Sequence, residues 1–386
     1  MSAIPMKGGP LRVALAHDWL TGMRGGEAVL ERLCARFPDA PLYTMFHLPG
    51  SVSPLIERRS IRTSLLDRIP GARRHYRELL PLYPVAVERL DLTAYDLVVS
   101  TSHAAIKAVR IGPGAEHLCY VHTPMRYIYE QFDDYFGTGR ASLPVRLAAT
   151  AVRPLLRAWD LATARRPTEL VANSRHVAAR ISRHWGRAAT VIYPPVHLER
   201  FAPDPHSARG YYLVVGAHAP YKRIDLALAA CGSFDRPLWI AGEGQDSARL
   251  RATAGERVRF LGRVDDAELA RLYRGAAALI FPGEEDFGIT PVEAQASGTP
   301  VIAFGRGGAL ETVRGLDDAR PTGVFFEVQT AAALADAVRL FAARAARFSV
   351  ENLVHNAAAF SAARFDREIG ALLERVTARL GSGARA

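Results

Sequence analysis

Short apolar segments alternate along this chain with stretches in which apolar residues recur at helical spacing. Strand–helix alternation of this kind predicts parallel sheets that are covered by helices on both faces. The predicted strands are Leu11–Ala16, Pro41–Phe46, Asp96–Ser100, His117–Val121, Thr168–Ala172, Thr190–Tyr193, Tyr211–Val215, Pro237–Ala241, Val258–Leu261, Ala277–Phe281, Pro300–Phe304 and Val324–Phe326.

A proline-rich polar stretch at residues 193–205 interrupts this alternation, and 386 residues exceed the usual size of one domain. We predict an α/β protein of two Rossmann-like, doubly wound domains, residues 1–198 and 199–365, that face a cleft. Residues 366–386 are predicted to form a C-terminal helix that packs back on the first domain. Residues 51–91 contain no clear strand and are treated as an insertion. Open parallel sheets bind ligands at the carboxyl ends of their strands, so the loops there are the candidate site.

The net charge of +10 favours anionic partners, which include nucleotide phosphates, acidic lipid headgroups and nucleic acid. Charge alone does not choose among them. No apolar run approaches the roughly 18–20 residues that span a bilayer, and residues 1–10 lack a signal-peptide pattern. The three cysteines are far apart and lack metal-ligand spacing. These features predict a cytoplasmic protein.

The first candidate loop, residues 17–26, leaves the first strand and enters a helix predicted from about Gly26 to Arg36. Gly25 and Gly26 would let the backbone approach a phosphate at the positive end of that helix. An ordinary strand-to-helix turn explains the glycines equally well. The loop is not a G-x-G-x-x-G sequence, so the dinucleotide fingerprint is absent.

The second candidate loop carries two adjacent cations, Lys222 and Arg223, where a helix is predicted to begin. Cations oppose the helix dipole there unless they face an anion. A departing diphosphate is such an anion, and preorganised charge would stabilise it. The alternative is that both cations are solvated surface residues.

The third candidate loop follows the strand that ends at Phe281 and contains the acidic run 284–286. Glu285 has no evident structural role there and is suited to accept hydrogen bonds from sugar hydroxyls. Glu293 has a structural alternative, because Thr290, Pro291 and Glu293 form a plausible helix cap. Backbone amides of the next residues would line the same site: Phe287, Gly288 and Ile289.

These three loops resemble those of retaining glycosyltransferases of family 4, which have the GT-B fold. The segments 220–225 (PYKRID), 283–288 (GEEDFG) and 292–298 (VEAQASG) are most similar to the mannosyltransferase-like branch of O-antigen and exopolysaccharide biosynthesis. The resemblance covers residues 11–365 and is more specific in the second half. It implies a hexosyltransferase that moves a sugar, mannose from GDP-mannose by this resemblance, to a glycan or lipid-linked acceptor. No metal or other cofactor is implied.

The resemblance also assigns residue roles. Glu285 would bind the donor sugar, Glu293 the ribose hydroxyls and Lys222 the diphosphate, with Arg223 as a second candidate. Further donor-binding positions are Gly25, Gly26, Gly242, Gly244 and Arg263. Ala217 is a departure, because many members carry an arginine there as a second phosphate cation.

Two histidines, His103 and His122, follow predicted strands and complete the candidate catalytic set with Lys222 and Glu285. The resemblance places a histidine near the reacting sugar, whereas a lone histidine in such a loop is more often a structural hydrogen-bonding group. We expect a front-face displacement in which the departing phosphate accepts the proton of the acceptor. No Asp-x-Asp motif is present to hold a metal.

A basic amphipathic helix is predicted around residues 145–159. Val145, Val152, Leu156 and Trp159 fall on one face of it, beside Arg146, Arg153 and Arg157, and Arg165 and Arg166 follow. Such a helix can lie on an anionic membrane, where a lipid-linked acceptor would be found. The alternative is a helix that packs on the core.

Three other functions compete with glycosyl transfer. A nucleotide-sugar epimerase could share the architecture. A nicotinamide dehydrogenase is disfavoured by the missing glycine fingerprint, and a nucleic-acid-binding protein would explain the charge but not the acidic loop 284–286.

Overall fold

The computed structural model describes residues 5–6, 9–73, 76–137 and 142–382. The chain forms two compact units. The N-terminal unit contains residues 1–194 and 366–386, and the C-terminal unit contains residues 195–365. Each unit is built on one large sheet in which every strand pairs in parallel.

The N-terminal sheet has seven strands in the order β7-β6-β5-β4-β1-β2-β3. Strand order reverses between β1 and β4, and the loops that leave such a switch point form a crevice at the carboxyl ends. The strands are β1 (Val13–Leu20), β2 (Leu42–His47), β3 (Ile61–Thr63), β4 (Leu97–Ser102), β5 (Glu116–Val121), β6 (Glu169–Ala172) and β7 (Thr190–Val191).

Two sequence predictions in this unit were wrong. Strand β1 continues to Leu20, although the loop was predicted to begin at His17. The strand can continue through these polar residues because tertiary contacts reach them: His17 Nδ1 lies 2.6 Å from Thr101 Oγ1, and the Asp18 carboxylate accepts backbone N–H groups. Residues 51–91 do contain a strand, since β3 pairs with β2 at the edge of the sheet. Its three residues are too short to show a period.

Helices cover this sheet. They are α1 (Gly25–Arg36), α2 (Pro54–Glu57), α3 (Tyr83–Glu88), α4 (Phe132–Phe136), α5 (Leu143–Thr163), α6 (Arg175–Trp185) and the last helix of the chain, α14 (Ala362–Ser382). Ion pairs connect α14 to the unit: Arg32 with Asp366, and Arg379 with Glu116 at 3.2 Å. Short 3₁₀ turns lie at Leu65–Arg68, Tyr76–Leu82, Ile106–Ala108 and Arg126–Ile128, and two-residue strand pairs join Pro5–Met6 to Gly9–Pro10 and Asp91–Leu92 to Arg110–Ile111.

Helix α5 places its residues differently from the predicted membrane-facing arrangement. Val152, Leu156 and Trp159 pack against the hydrophobic core of the unit. The side chain of Arg153 donates hydrogen bonds to the carbonyls of Ile128 (2.9 Å) and Tyr129 (2.8 Å). Three of the four residues predicted to face a membrane therefore pack on the core, whereas Val145 is 50% exposed. In the described part of the chain, no helix has the length and apolar composition that crossing a bilayer requires.

The C-terminal sheet has six strands in the order β10-β9-β8-β11-β12-β13, so its switch point lies between β8 and β11. The strands are β8 (Tyr211–Val215), β9 (Leu238–Ala241), β10 (Val258–Gly262), β11 (Ala276–Phe281), β12 (Val301–Phe304) and β13 (Gly323–Phe326). The two doubly wound parallel sheets confirm the predicted fold class.

Seven helices belong to this unit: α7 (Ile224–Ala230), α8 (Ser247–Ala252), α9 (Asp266–Gly275), α10 (Ile289–Ala296), α11 (Ala309–Thr312), α12 (Ala331–Ala343) and α13 (Val350–Ala358). The 3₁₀ turns are Leu198–Arg200, Pro220–Lys222, Cys231–Ser233 and Ala345–Arg347. The core forms where α7 and α12 pack on strand residues such as Tyr212, Ile240 and Ile302, which are fully buried.

Candidate active site

The switch point of the C-terminal sheet brings together two residues that the sequence singled out. Lys222 lies in the loop after β8, and Glu285 lies in the loop after the neighbouring strand β11. Their side chains form an ion pair and are 20% and 11% exposed. Together with Gly216 and Gly283 they line one pocket at the carboxyl ends of these strands.

Glycines allow these loops to approach so closely. A Cβ atom on Gly283 would lie 2.5 Å from the carbonyl oxygen of Tyr221 and 2.9 Å from Cα of Lys222. Gly307, at φ +66°, contacts the loop from the other side, where its Cβ would lie 2.4 Å from the carbonyl oxygen of Glu285. The amide of Gly308 donates to the same oxygen at 2.8 Å. Glycine at these positions therefore sets the backbone position of Glu285.

Gly307 and Gly308 were missed in the sequence, because their role depends on a close approach between loops that lie far apart in the chain. The only available signal was the run of three glycines within residues 305–308, directly after β12.

Arg223 differs from its neighbour Lys222. It is the one non-glycine residue with positive φ (52°) in the described ranges, a conformation that costs an L-residue about 1–2 kcal/mol. Its guanidinium lies 3.3 Å from Asp225 Oδ1 and 3.3 Å from Gln329 Oε1. Gln329 in turn donates to the carbonyl of Pro282 at 2.9 Å. Arg223 is thus tied into the loop framework, whereas Lys222 reaches the pocket.

The loop after β9 carries Gly242 and Gly244, and it is held to the loop after β8. Gly242, at φ +120°, touches Gly216 so closely that a Cβ would lie 2.0 Å from its carbonyl oxygen. The fully buried His218 joins the two loops, since its amide donates to the Glu243 carbonyl at 3.1 Å. Burial lowers the pKa of His218, which keeps the ring neutral. This role of His218 was not predicted from the sequence.

Arg263 lies at the surface of this region. Its side chain is 85% exposed, and its Nε is 3.6 Å from Glu243 Oε2. An exposed pair of this kind contributes little to stability. Arg263 is accordingly available to a ligand at the loop that follows β10.

Helix α10 begins differently from the sequence prediction. Its first residue is Ile289, and Gly288 is the N-cap at φ 97°. The predicted cap from Thr290, Pro291 and Glu293 was wrong, because a left-handed glycine turns the chain from the loop into the helix. Phe287 is buried and packs edge-on against Phe360, with ring centroids 5.5 Å apart.

Glu293 is consequently not a capping residue. Tyr273 of α9 donates to Glu293 Oε2 at 2.8 Å. Burial raises the pKa of Glu293 to about 7, although the hydrogen bond from Tyr273 acts in the opposite direction. This carboxyl group therefore changes its protonation near neutral pH.

The switch point of the N-terminal sheet carries a different arrangement, centred on the fully buried Asp18. Its carboxylate accepts four backbone N–H groups after β4, from His103, Ala104, Ala105 and Ile106, at 2.6, 2.9, 2.7 and 2.8 Å. His103 Nδ1 lies 3.4 Å from Asp18 Oδ2. Burial raises the pKa of Asp18, but the neighbouring His103 side chain and the N–H donors outweigh it and leave the pKa below its ordinary value.

The two predicted histidines lie together here. The ring centroids of His103 and His122 are 6.2 Å apart, and His17 lies 5.7 Å from His103. A Cβ on Gly26, at the start of α1, would lie 3.4 Å from His122 Nε2. That nitrogen is buried and has no hydrogen-bond partner among the described residues. Burial lowers the pKa of His122 to about 3 and also lowers that of His103, so these rings are neutral.

The sequence predicts a loop at His17, so the contribution of this residue to the cluster was missed. Its position directly before Asp18, at the end of an apolar run, was the available signal. In the parts of the chain that the structure describes, no three His, Cys, Asp or Glu side chains are arranged to hold a metal ion.

Solved structures define the class of fold. Sucrose-phosphate synthase from Thermosynechococcus elongatus superposes with a TM-score of 0.70 at 20% identity, over 95% of this chain and 99% of that one. HepE of Anabaena in complex with UDP superposes with a TM-score of 0.68 at 15% identity, over 95% and 100%. The two parallel α/β units are those of the GT-B fold.

Family models identify both halves of the chain. Residues 23–200 match the model of Glycosyltransferase Family 4, and residues 198–356 match that of Glycosyl transferases group 1. By these two matches the chain belongs to the family 4 glycosyltransferases.

Curated relatives are similar over part of the chain. D-inositol 3-phosphate glycosyltransferase of Geodermatophilus obscurus is 33% identical over 54% of this chain and 52% of its own length. A GDP-mannose-dependent alpha-mannosyltransferase of Mycolicibacterium smegmatis is 32% identical over 47% and 48%. The chain thus spans about half the length of these relatives.

Proposed function

We propose that this chain is a hexosyltransferase whose donor is a nucleotide diphosphate sugar, bound at the carboxyl edge of the C-terminal sheet. The observation that carries this proposal is the Lys222–Glu285 ion pair at the switch point between β8 and β11. A diphosphate sugar offers an anion to Lys222 and hydroxyl donors to Glu285. The ion pair therefore keeps a cation for the diphosphate and a hydrogen-bond acceptor for the sugar in place before such a donor binds.

Lys222 supports the departure of the diphosphate. As the bond between the sugar and the phosphate oxygen breaks, negative charge develops on that oxygen, and a preorganised cation stabilises it. We propose retention of the anomeric configuration by a front-face displacement. The acceptor hydroxyl forms the new bond on the face that the phosphate leaves, and the departing phosphate oxygen accepts its proton. The charge of Lys222 serves this step without a metal ion.

The donor proposed is GDP-mannose, and the acceptor is a glycan or a lipid-linked glycan in polysaccharide biosynthesis. The segments 220–225, 283–288 and 292–298 support mannose by their resemblance, and one relative is a GDP-mannose-dependent enzyme. His103 and His122 are candidates for contacts with the reacting groups, and neutral rings there can donate or accept a hydrogen bond. The family matches favour glycosyl transfer over the nucleotide-sugar epimerase.

A panel of nucleotide sugars tests this proposal. A donor at 100 times its Kd stabilises the fold by about 2.7 kcal/mol, which a thermal-shift measurement detects. We expect GDP-mannose to give the largest shift, and transfer to a lipid-linked glycan should yield an α-linked product by NMR in excess chelator. An unshifted protein with every nucleotide sugar would contradict the donor site. Epimerised sugar formed without an acceptor would favour the rival activity.

A further inference from the structure

The N-terminal unit contains a cavity that none of the predicted site residues lines. Its volume is about 450 Å³, and small-molecule sites usually have about 300–1,000 Å³. The cavity lies at the carboxyl ends of β2 and β3, where parallel sheets bind ligands, because Leu48 follows β2 and the other lining residues follow β3. Asp67, Arg68 and Arg73 provide its charged groups, and Leu48 and Ile69 provide apolar ones.

Asp67 orients one of the two arginines. Its carboxylate accepts hydrogen bonds from Arg73 Nε and Nη2, each at 2.9 Å, and its side chain is 5% exposed. It also accepts the amide of His47, at the end of β2, at 3.2 Å. A guanidinium has five N–H donors in a rigid plane, so three donors of Arg73 remain at its outer edge. Arg73 is therefore oriented before any ligand binds.

Arg68 makes the cavity cationic. It ends the 3₁₀ turn Leu65–Arg68 and is exposed, as is the side chain of Arg73. Among the described residues of the lining, Asp67 is the only acid, and it is paired with Arg73. One positive charge is thus left over. A structural turn would explain the Asp67–Arg73 pair, but it would explain neither the second arginine nor the cavity. Planar, charged donors of this kind fit a phosphate or a carboxylate group.

Two apolar side chains lie beside the arginines and narrow the choice of ligand. Leu48 and Ile69 are each 43% exposed and line the same cavity. An organic anion would cover both side chains and remove their apolar surface from water. A simple inorganic ion would leave them exposed. The cavity therefore suits an organic ligand that carries an oxyanion.

The position of the cavity in the sheet indicates which organic anion this is. His103 follows β4, and β2 lies two strands away from β4, which corresponds to about 10 Å. Both are at the carboxyl edge of the same sheet. An extended molecule can therefore keep its anion in the cavity while another of its groups reaches the histidines.

We propose that this cavity binds the acceptor of the transfer reaction through an oxyanion group. The proposal rests on the proposed function, since it requires an acceptor. The oxyanion lies between Arg68 and Arg73, and the adjoining part of the acceptor contacts Leu48 and Ile69. The acceptor is accordingly acidic, with either a phosphate or a sugar carboxylate as its anion.

Calorimetric titration of the full chain with three probes tests the cavity. We expect octyl phosphate or octanoate to bind at least about tenfold more tightly than the uncharged octyl glucoside, because only the anions accept charged hydrogen bonds from the arginines. Tighter binding of octyl phosphate would assign a phosphate-bearing acceptor, and tighter binding of octanoate an acidic sugar. Equal binding of all three probes would overturn the proposal.

Substitutions locate the bound anion. Arg73→Gln should weaken binding of the preferred anion by about tenfold or more, and Arg68→Gln by about threefold to tenfold. Arg68→Gln leaves the Asp67–Arg73 pair intact, so it provides the test even where Arg73→Gln unfolds. The matched control is Arg110→Gln, which removes the same charge from an exposed position of the same unit and should change binding by less than about twofold. An equal loss in the control would overturn the proposal, because net charge alone would then explain binding.

Donor binding distinguishes this proposal from the proposed function. The thermal shift with GDP-mannose should be the same for the wild type and Arg68→Gln. Octyl phosphate should raise the KM for a lipid-linked glycan without changing the KM for GDP-mannose, whereas competition with GDP-mannose would overturn the proposal. A protein that binds GDP-mannose but neither anion refutes the cavity alone. A protein that binds the anions but no nucleotide sugar refutes the proposed function and, with it, the acceptor role of the cavity.

Discussion

The two switch points of this molecule have the same topology and opposite chemistry. In the N-terminal unit, a buried carboxylate is saturated by four backbone N–H groups, and neutral histidines surround it. In the C-terminal unit, a carboxylate is paired with a lysine beside a pocket, and glycines draw the loops together. The fold provides the position of a site, and the side chains on its loops decide what that site can do.

The difference separates a carboxylate with a structural role from one that we propose binds the donor. Both carboxylate oxygens of Asp18 accept hydrogen bonds from backbone N–H groups, so Asp18 shapes the turn that carries His103. Glu285 has one cationic partner and lines a pocket, so a ligand can replace that partner. The same residue class therefore contributes mainly to stability in one unit and, as we propose, to donor binding in the other.

The largest expected effect is on the turnover rate, at the proposed donor site of the C-terminal unit. Lys222→Ala should lower the turnover rate by about a thousandfold, or about 4 kcal/mol of activation free energy, because it removes the preorganised cation. The matched change at the next residue, Arg223→Gln, should cost less than about tenfold, since Arg223 is tied to Asp225 and Gln329. Steady-state rates with a saturating donor measure both. A greater loss in Arg223→Gln would mean that Arg223, and not Lys222, binds the diphosphate.

The second prediction compares the same chemical change in both units. Asp18→Asn should lower the free energy of unfolding by about 3 kcal/mol, because an amide cannot accept four N–H groups in a buried site. Glu285→Gln should cost less stability, about 1 kcal/mol, since the amide oxygen can still accept a hydrogen bond from its single partner Lys222, and should instead abolish most turnover. Urea unfolding and rate measurements together decide. Similar stability losses in both variants would end the distinction between the two carboxylates.

The third prediction is that the units respond oppositely to acid. His122 has a folded pKa of about 3 against an ordinary 6.5, so the unfolded chain binds more protons between these values and stability falls as pH drops below 6.5. Glu293 has a folded pKa of about 7 against an ordinary 4.5, so the folded chain holds the proton there and stability falls as pH rises from 4.5 to 7. Each slope reaches at most about 1.4 kcal/mol per pH unit.

Two variants separate these opposing contributions. His122→Gln should reduce the loss on the acid side but not remove it, because burial also lowers the pKa of His117 to about 3. Glu293→Gln should flatten the loss toward neutral pH. Unfolding free energies measured from pH 4 to pH 8 provide the comparison. Wild-type slopes in either variant would contradict the assigned pKa shift of that residue.

The sequence predicted most of the C-terminal unit because its strands are buried apolar runs between turn residues. Tyr211–Val215 has the predicted bounds, and the other strands of that sheet differ by one residue at one end. The N-terminal unit was harder, since β1 contains His17 and Asp18 within a buried strand. Polar residues in a strand are tolerated only where tertiary contacts satisfy them, and such contacts are not visible in local sequence.

The candidate site was likewise predictable only as far as local sequence reveals it. Lys222 and Glu285 were found because loops after neighbouring parallel strands carry ligand-binding side chains, and because their motifs resemble a known family. His218, Gly307 and Gly308 were not found, since their roles are contacts between loops that are distant in the chain. The Asp18 turn was missed for the same reason: its four donors lie beyond Ser102 in another loop.

The smallest expected effect concerns the left-handed backbone conformation of Arg223, which Lys222 does not share. Arg223→Gly and Arg223→Ala remove the same guanidinium contacts, so the difference between them isolates the positive φ of 52°. The left-handed conformation costs alanine about 1–2 kcal/mol, and glycine loses about 0.5–1 kcal/mol more conformational entropy on folding. The glycine variant should therefore be about 0.5–1 kcal/mol more stable in urea unfolding. The control is Ala217→Gly, at a position without positive φ, which should be destabilising by a similar amount. If Arg223→Ala were more stable than Arg223→Gly, the turn would have to relax once the arginine is gone.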